Sequence, residues 1–134
     1  MEQVLKHFTL EFFGKGKHKI SIAAFFKLDN VVFLDIRTKE ETDSLSVELK
    51  HHDNVHCMNI PTNEIPDRLA EIPKDNSIGI FCPANVRSAM VYGFLLSKKF
   101  SDVRILEGGY PALTEAVLPG KILQVVQAAE LLKG

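Results

Sequence analysis

The sequence predicts an α/β fold built on a mainly parallel sheet. Three observations point there. The apolar runs at 31–36 (VVFLDI) and 77–81 (SIGIF) are nearly continuous rather than alternating, as in strands covered on both faces. Segments with helical spacing of apolar residues lie between such runs. Strands alternating with helices along a chain favour parallel pairing through right-handed crossovers.

Taken in order, residues 2–13 set Val4, Leu5, Phe8 and Phe12 at helical spacing, so a short amphipathic helix is expected, although 8–13 also suit a strand. Gly14 and Gly16 break it. Ser21 is placed to cap a short helix reaching about Leu28, and Asp29-Asn30 makes a turn before the 31–36 strand. Thr38-Lys39-Glu40-Glu41 has the T-x-x-E form of a capping box. A short strand is expected at 55–60, ended by Pro61. Thr62 or Asn63 then caps a helix with Ile65, Leu69 and Ile72 on one face, stopped by Pro73. The 77–81 strand delivers Cys82 to its C-terminal end. A helix beginning at Arg87 or Ser88 carries Met90, Val91, Phe94 and Leu95. Residues 103–106 form another strand, after which Gly108 and Gly109 shape a turn, and 122–132 form a last, largely apolar helix. No repeat, linker or low-complexity stretch divides the chain, so 1–134 reads as one domain.

A chain of 134 residues can bury a self-sufficient core. Its formal net charge of −1 argues against a nucleic-acid partner held through phosphates. The local basic cluster Lys15, Lys17, His18 and Lys19, spaced by Gly14 and Gly16, reads as a solvated turn, with a weak resemblance to an anion-binding loop. No apolar run is long enough to span a bilayer. Two cysteines, Cys57 and Cys82, and no secretory-type opening segment make a reducing, cytoplasmic setting the expectation, with free thiols. His51, His52, His56 and Cys57 raise the question of a metal site, since His52 and His56 at i, i+4 would suit ligands on a helix. Cys57 reads better as a small buried residue of the strand expected at 55–60.

The segment Cys82-Pro83-Ala84-Asn85-Val86-Arg87-Ser88 carries the chemistry. A strand brings a cysteine to the carboxyl edge of the sheet, where open α/β folds bind ligands. The short loop after it can curl around the sulfur with its N–H groups pointing inward, and the helix that follows adds the positive end of its dipole. Both favour the thiolate, which is the nucleophile. Arg87 adds a permanent charge and a fork of donors.

Three motifs in one order resemble the rhodanese family: Asp35-Ile36-Arg37 after an early strand, the Cys82 to Arg87-Ser88 loop, and Leu106-Glu107-Gly108-Gly109. Asn59-Ile60-Pro61 resembles a further family segment. The resemblance covers roughly 20–115, with 1–19 and 116–134 as N-terminal and helical C-terminal extensions. It implies a three-layer domain, its sheet flanked by helices. It also implies a sulfurtransferase that holds sulfane sulfur as a persulfide on Cys82 and passes it to a thiol or another nucleophile. Such chemistry needs no metal and no organic cofactor. Cys82 and Arg87 are implied as catalytic. Pro83, Ala84, Asn85, Val86, Arg87 and Ser88 are implied as the anion-binding loop, and Asp35 and Arg37 as its supports. The implied partners are a small-molecule or protein persulfide donor and a thiol acceptor, with neither nucleic acid nor membrane.

The sequence also departs from the family pattern. Pro83 stands where thiosulfate-using relatives often have arginine, removing both a charge and an N–H. Asn85 stands where glycine is frequent; asparagine tolerates the left-handed conformation. Residues 51–58 (HHDNVHCM) replace the usual G-H-I-x-G-A stretch, and no tryptophan follows the double glycine. A cysteine-dependent phosphatase is disfavoured, because its loop holds five residues between cysteine and arginine and this one holds four, with Phe81 in place of the usual histidine. A rhodanese-fold binding module without turnover is the stronger rival.

Overall fold

A computed structural model describes residues 1–45 and 53–117. The expected helix at 122–132, and His51 and His52, lie outside the described residues. Among the described residues five strands form one sheet in which every pairing is parallel: β1 (Lys19–Ser21), β2 (Val31–Asp35), β3 (Val55–Asn59), β4 (Ser77–Phe81) and β5 (Val103–Glu107), in the order β1-β5-β4-β2-β3. β2 and β4 are central and buried along almost their whole length, as their continuous apolar runs require.

The period of two in a strand divides the core. Val32, Leu34, Ile78 and Ile80 face one side, where helix α5 (Val86–Ser97) packs through Val91, Tyr92 and Leu95. Val31, Phe33, Phe81 and Leu106 face the other, against α3 (Ile22–Phe25) and α6 (Gly109–Val117). Gly79 is needed on that second face: a Cβ there would lie 2.8 Å from the Phe25 ring and 2.7 Å from Leu106 Cδ2.

Several local features match the sequence. Ser21 caps α3 by accepting from Ala24 N at 3.1 Å. The Thr38–Glu41 capping box starts α4 (Lys39–Ser44), each side chain bonding the other residue's backbone N–H at 3.1 Å. Other expectations are corrected. Residues 2–13 do not form one helix; α1 (Glu2–His7) and α2 (Leu10–Gly14) are separated by Thr9, whose hydroxyl caps α2 by accepting from Phe12 N. The expected helix over 62–72 is two 3-10 turns, Thr62–Glu64 and Leu69–Glu71, because Pro66 between them has no N–H to continue a ladder. The basic segment around Lys17 turns directly into edge strand β1, too short to show a pattern. α3 ends at Phe25, earlier than expected, and α5 starts at Val86, one residue before Arg87. Gly109 opens helix α6 where only a turn was read; Pro111 fits the first turn of that helix, where its missing N–H costs nothing. Cys57, read as buried, is exposed, because β3 is an edge strand.

Candidate active site

The site is assembled at the carboxyl edge of the sheet, from the ends of β2 and β4 and the first turns of α4, α5 and α6. Cys82 follows β4 directly and is fully buried, 0% exposed. The chain then turns through Pro83, Ala84 and Asn85 into α5. Asn85 caps this helix in the left-handed conformation, φ 64°, as its small polar side chain allows. This bend turns the start of α5 back over the cysteine, and Ser88 N donates to Cys82 Sγ at 3.3 Å. That N–H is one of the helix-terminal donors with no intrahelical acceptor, so the sulfur takes the place a capping oxygen would fill. Ser88 is itself buried, and its Oγ has no hydrogen-bond partner among the described residues. Ala84, Asn85 and Val86 are exposed over the loop.

Arg87 points its fork at a carboxylate. Nη1 donates to Glu41 Oε1 at 2.6 Å and Nη2 to Oε2 at 3.0 Å, a bidentate pair with both side chains about one-third exposed. Glu41 is thus the capping-box residue of α4 and the anchor of the loop arginine at once. The Arg87 bond first, and the Thr38 backbone N–H second, hold the Glu41 carboxyl down to about 2, from an ordinary value of 4.5. The sequence showed Glu41 only as a helix cap; its position four residues after Arg37, on the first turn of a helix rising from the same sheet edge, was the available signal.

Asp35 and Arg37 form a second, buried construction. Arg37 is 0% exposed; its Nε donates to Asp35 Oδ1 at 2.9 Å and its Nη2 to Oδ2 at 2.7 Å. Its Nη1 donates to the Leu45 carbonyl at 2.7 Å and to the Tyr110 hydroxyl at 3.2 Å. Burial works against the guanidinium's charge, but the bonds to Asp35 and Tyr110 outweigh it and raise its pKa above the ordinary value. The guanidinium also lies against the rings of Phe81 and Tyr110, 5.7 and 5.6 Å from their centroids. Arg37 therefore ties β2, the end of α4 and the start of α6 to the residue immediately before Cys82. Asn59 Nδ2 reinforces the corner by donating to the Asp35 and Arg37 carbonyls.

The double glycine meets the loop directly. Gly109 has φ +60°, and a Cβ there would stand 2.3 Å from the Pro83 carbonyl oxygen. Gly108, at φ +100°, would place a Cβ 2.4 Å from that of Ala112. Pro83 is thus seated on the start of α6, a contact that sequence motifs alone did not reveal.

Cys57 is not brought to the site. It pairs with Phe33, which pairs with Gly79 on the other side, so it lies two strands from β4 and three residues below Cys82. Strand spacings put the two sulfurs on the order of 14 Å apart, beyond disulfide reach without backbone movement. Among the described residues no group of three or more His, Cys, Asp or Glu side chains could hold a metal ion. No helix of the described residues is long and apolar enough to cross a membrane.

The chain is similar in sequence and fold to known proteins. The sequence profile of the rhodanese-like domain matches residues 22–116. A protein of Allochromatium vinosum named sulfurtransferase is 30% identical over 91 residues, 68% of this chain and 78% of that one. A rhodanese-like domain protein from Staphylococcus aureus superposes with a TM-score of 0.53 at 31% identity, over 66% of this chain and 79% of that one. A NAD-dependent persulfide reductase from A. fulgidus superposes with a TM-score of 0.56 at 33% identity; the match takes in 75% of this chain but 16% of that much longer one.

Proposed function

The chain belongs to the rhodanese-like domain family, within the sulfurtransferases, and from that membership we propose that Cys82 carries a sulfane sulfur as a persulfide and hands it to a thiol or another nucleophilic acceptor. The single observation behind this reading is the position of Cys82: at the end of a buried strand, with the first turn of α5 folded over it and Ser88 N donating to its sulfur.

The steps balance with sulfur alone. The Cys82 thiolate attacks the outer sulfur of a donor R–S–SH. A new S–S bond forms at Cys82, the donor's S–S bond breaks, and R–S⁻ leaves with the electron pair. An acceptor thiolate then attacks the outer sulfur of the Cys82 persulfide, forming its own S–S bond and releasing the Cys82 thiolate. This is covalent, two-stroke catalysis. N–H groups at the start of α5 stabilise the anionic sulfur through fixed dipoles. Arg87 holds the loop closed through Glu41, and Asp35 and Arg37 fix the base on which the loop stands.

The donor is a persulfide rather than thiosulfate. A dianionic donor needs free cationic donors at the mouth, but Pro83 offers neither charge nor N–H, and the fork of Arg87 is already occupied by Glu41. One charge-assisted contact to an anion is worth about 1.5–3 kcal/mol, and an open cleft screens it toward the lower end, about tenfold in rate. Steady-state kinetics test this. A low-molecular-weight persulfide should give parallel double-reciprocal lines with an acceptor thiol. Pro83→Arg should raise thiosulfate turnover about tenfold and leave persulfide turnover nearly unchanged. Fast thiosulfate turnover by the native protein would overturn the donor assignment.

A second reading, a rhodanese-fold module that binds a partner without turnover, is favoured by the complete burial of Cys82. Kinetics with a persulfide separate the two: the module shows no turnover.

A further inference from the structure

One cleft among the described residues lies away from Cys82. It has a volume of about 630 Å³ and opens at the amino-terminal edge of the sheet, where Val103 begins β5. The length of a five-residue strand, roughly 15 Å, separates this edge from the cysteine. The volume lies within the usual range for small-molecule sites.

Two kinds of group dominate its lining. The floor is apolar and aromatic: Phe8 and Phe12 from the amino-terminal helices, and Tyr92 and Leu96 from α5. The rings of Phe8 and Tyr92 stack with centroids 6.0 Å apart, and those of Phe8 and Phe12 at 5.6 Å. The rim is cationic and comes from three separate segments: Lys17 before β1, Lys99 after α5, and Arg104 in β5. These three side chains are exposed and make no ion pair among the described residues. Their neighbours in the basic cluster are engaged: Lys15 pairs with Glu11 at 3.0 Å and Lys19 with Glu107 at 2.9 Å. The carboxylate at the rim, Asp102, accepts a hydrogen bond from the Ser77 hydroxyl. Unpaired cations therefore gather over an aromatic floor, in a chain whose net charge is −1.

We propose that this cleft binds a small organic anion with an aromatic or acyl body, the body on the Phe8–Phe12–Tyr92 floor and the anionic group among Lys17, Lys99 and Arg104. The site is separate from the sulfur-transfer loop. Anchoring an apolar body while a few convergent polar groups fix its charged end is how such pockets select ligands. Desolvated rings supply the affinity and the cations the selectivity for a negative head.

Two matched fluorescent probes test this on the full chain. Anilinonaphthalene sulfonate is an anionic aryl compound; N-phenylnaphthylamine has the same ring system without the sulfonate. The expected result is saturable binding of the anionic probe, about tenfold tighter than the neutral one. Reversing the rim with Lys99→Glu and Arg104→Glu together should weaken the anionic probe about tenfold and leave the neutral probe unchanged. Lys17→Glu, on a different segment, should act in the same direction, which guards against a local effect of the first pair. Amide shifts in a ¹⁵N spectrum should move at Phe8, Tyr92 and Val103 on titration. Equal affinity for both probes, anionic binding indifferent to the reversed rim, or shifts confined to other residues would each overturn the proposal.

Discussion

Two corners of one sheet edge each hold an arginine on a carboxylate, and they hold it differently. At the end of β2, Arg37 is fully buried, and its fork reaches Asp35, the Leu45 carbonyl and the Tyr110 hydroxyl. At the start of α5, Arg87 is about one-third exposed and its fork meets one carboxylate, that of Glu41. A buried cation that loses its partners leaves an uncompensated charge, whereas a half-exposed one is rescued by water. In the proposed function the difference separates a strut, Arg37, under the loop from a clamp, Arg87, on the loop itself.

The sharpest break in that comparison is expected at the strut. Arg37→Ala strands Asp35 in the interior and should cost about 3–5 kcal/mol, read as the midpoint of urea unfolding. An effect below about 1 kcal/mol, the exposed-pair range, would make the two corners equivalent. Next comes the seat of Pro83. Gly109→Ala adds a methyl group 2.3 Å from the Pro83 carbonyl oxygen at a positive φ. It should cost about 1–3 kcal/mol and slow sulfur transfer, because the clash is relieved by moving the loop.

The clamp should show the opposite balance. Arg87→Lys is expected to change stability by no more than about 0.5 kcal/mol and to slow sulfur transfer about tenfold, since an ammonium cannot span both Glu41 oxygens. Equal stability and equal transfer would reduce Arg87 to a surface ion pair.

The smallest effect is a pH dependence. Glu41 has its carboxyl lowered in the folded protein to about 2, from an ordinary 4.5. Its contribution to stability is therefore fully present above the ordinary value and is lost as the pH falls through the folded one. The stability gap between native protein and Glu41→Gln should accordingly narrow between about pH 5 and about pH 2. A gap constant across that window would mean that Glu41 acts through its helix cap alone.

Much of this edge was legible in the sequence, for reasons that differ by element. β2 and β4 announced themselves because burial on both faces demands unbroken apolar runs, and the Thr38–Glu41 box because its hydrogen bonds fix residue types three apart. The cysteine loop was legible because strand, loop and helix lie consecutively in the chain. What escaped was non-local. Glu41 meets Arg87 across 46 positions, Tyr110 meets Arg37 across 73, and Gly109 touches Pro83 only because two strand ends converge. Local pattern also failed where a single proline decided the outcome, as Pro66 did in splitting the 62–72 segment into two short turns. The basic cluster is the solvated turn that was read, and what the sequence did not show is how its lysines divide: Lys15 and Lys19 make ion pairs, and Lys17 lines the distant cleft.

Intact-mass and peptide-level mass spectrometry test the central claim most directly. The full chain is incubated with a low-molecular-weight persulfide, desalted, and compared with Cys82→Ser and Cys57→Ser variants. The native protein and the Cys57→Ser variant should each gain the mass of one sulfur atom, mapped to the peptide containing Cys82 and lost on adding an acceptor thiol. The Cys82→Ser variant should gain none. A native protein that stays unloaded, or a Cys82→Ser variant that loads as fully as the native one, would contradict the account.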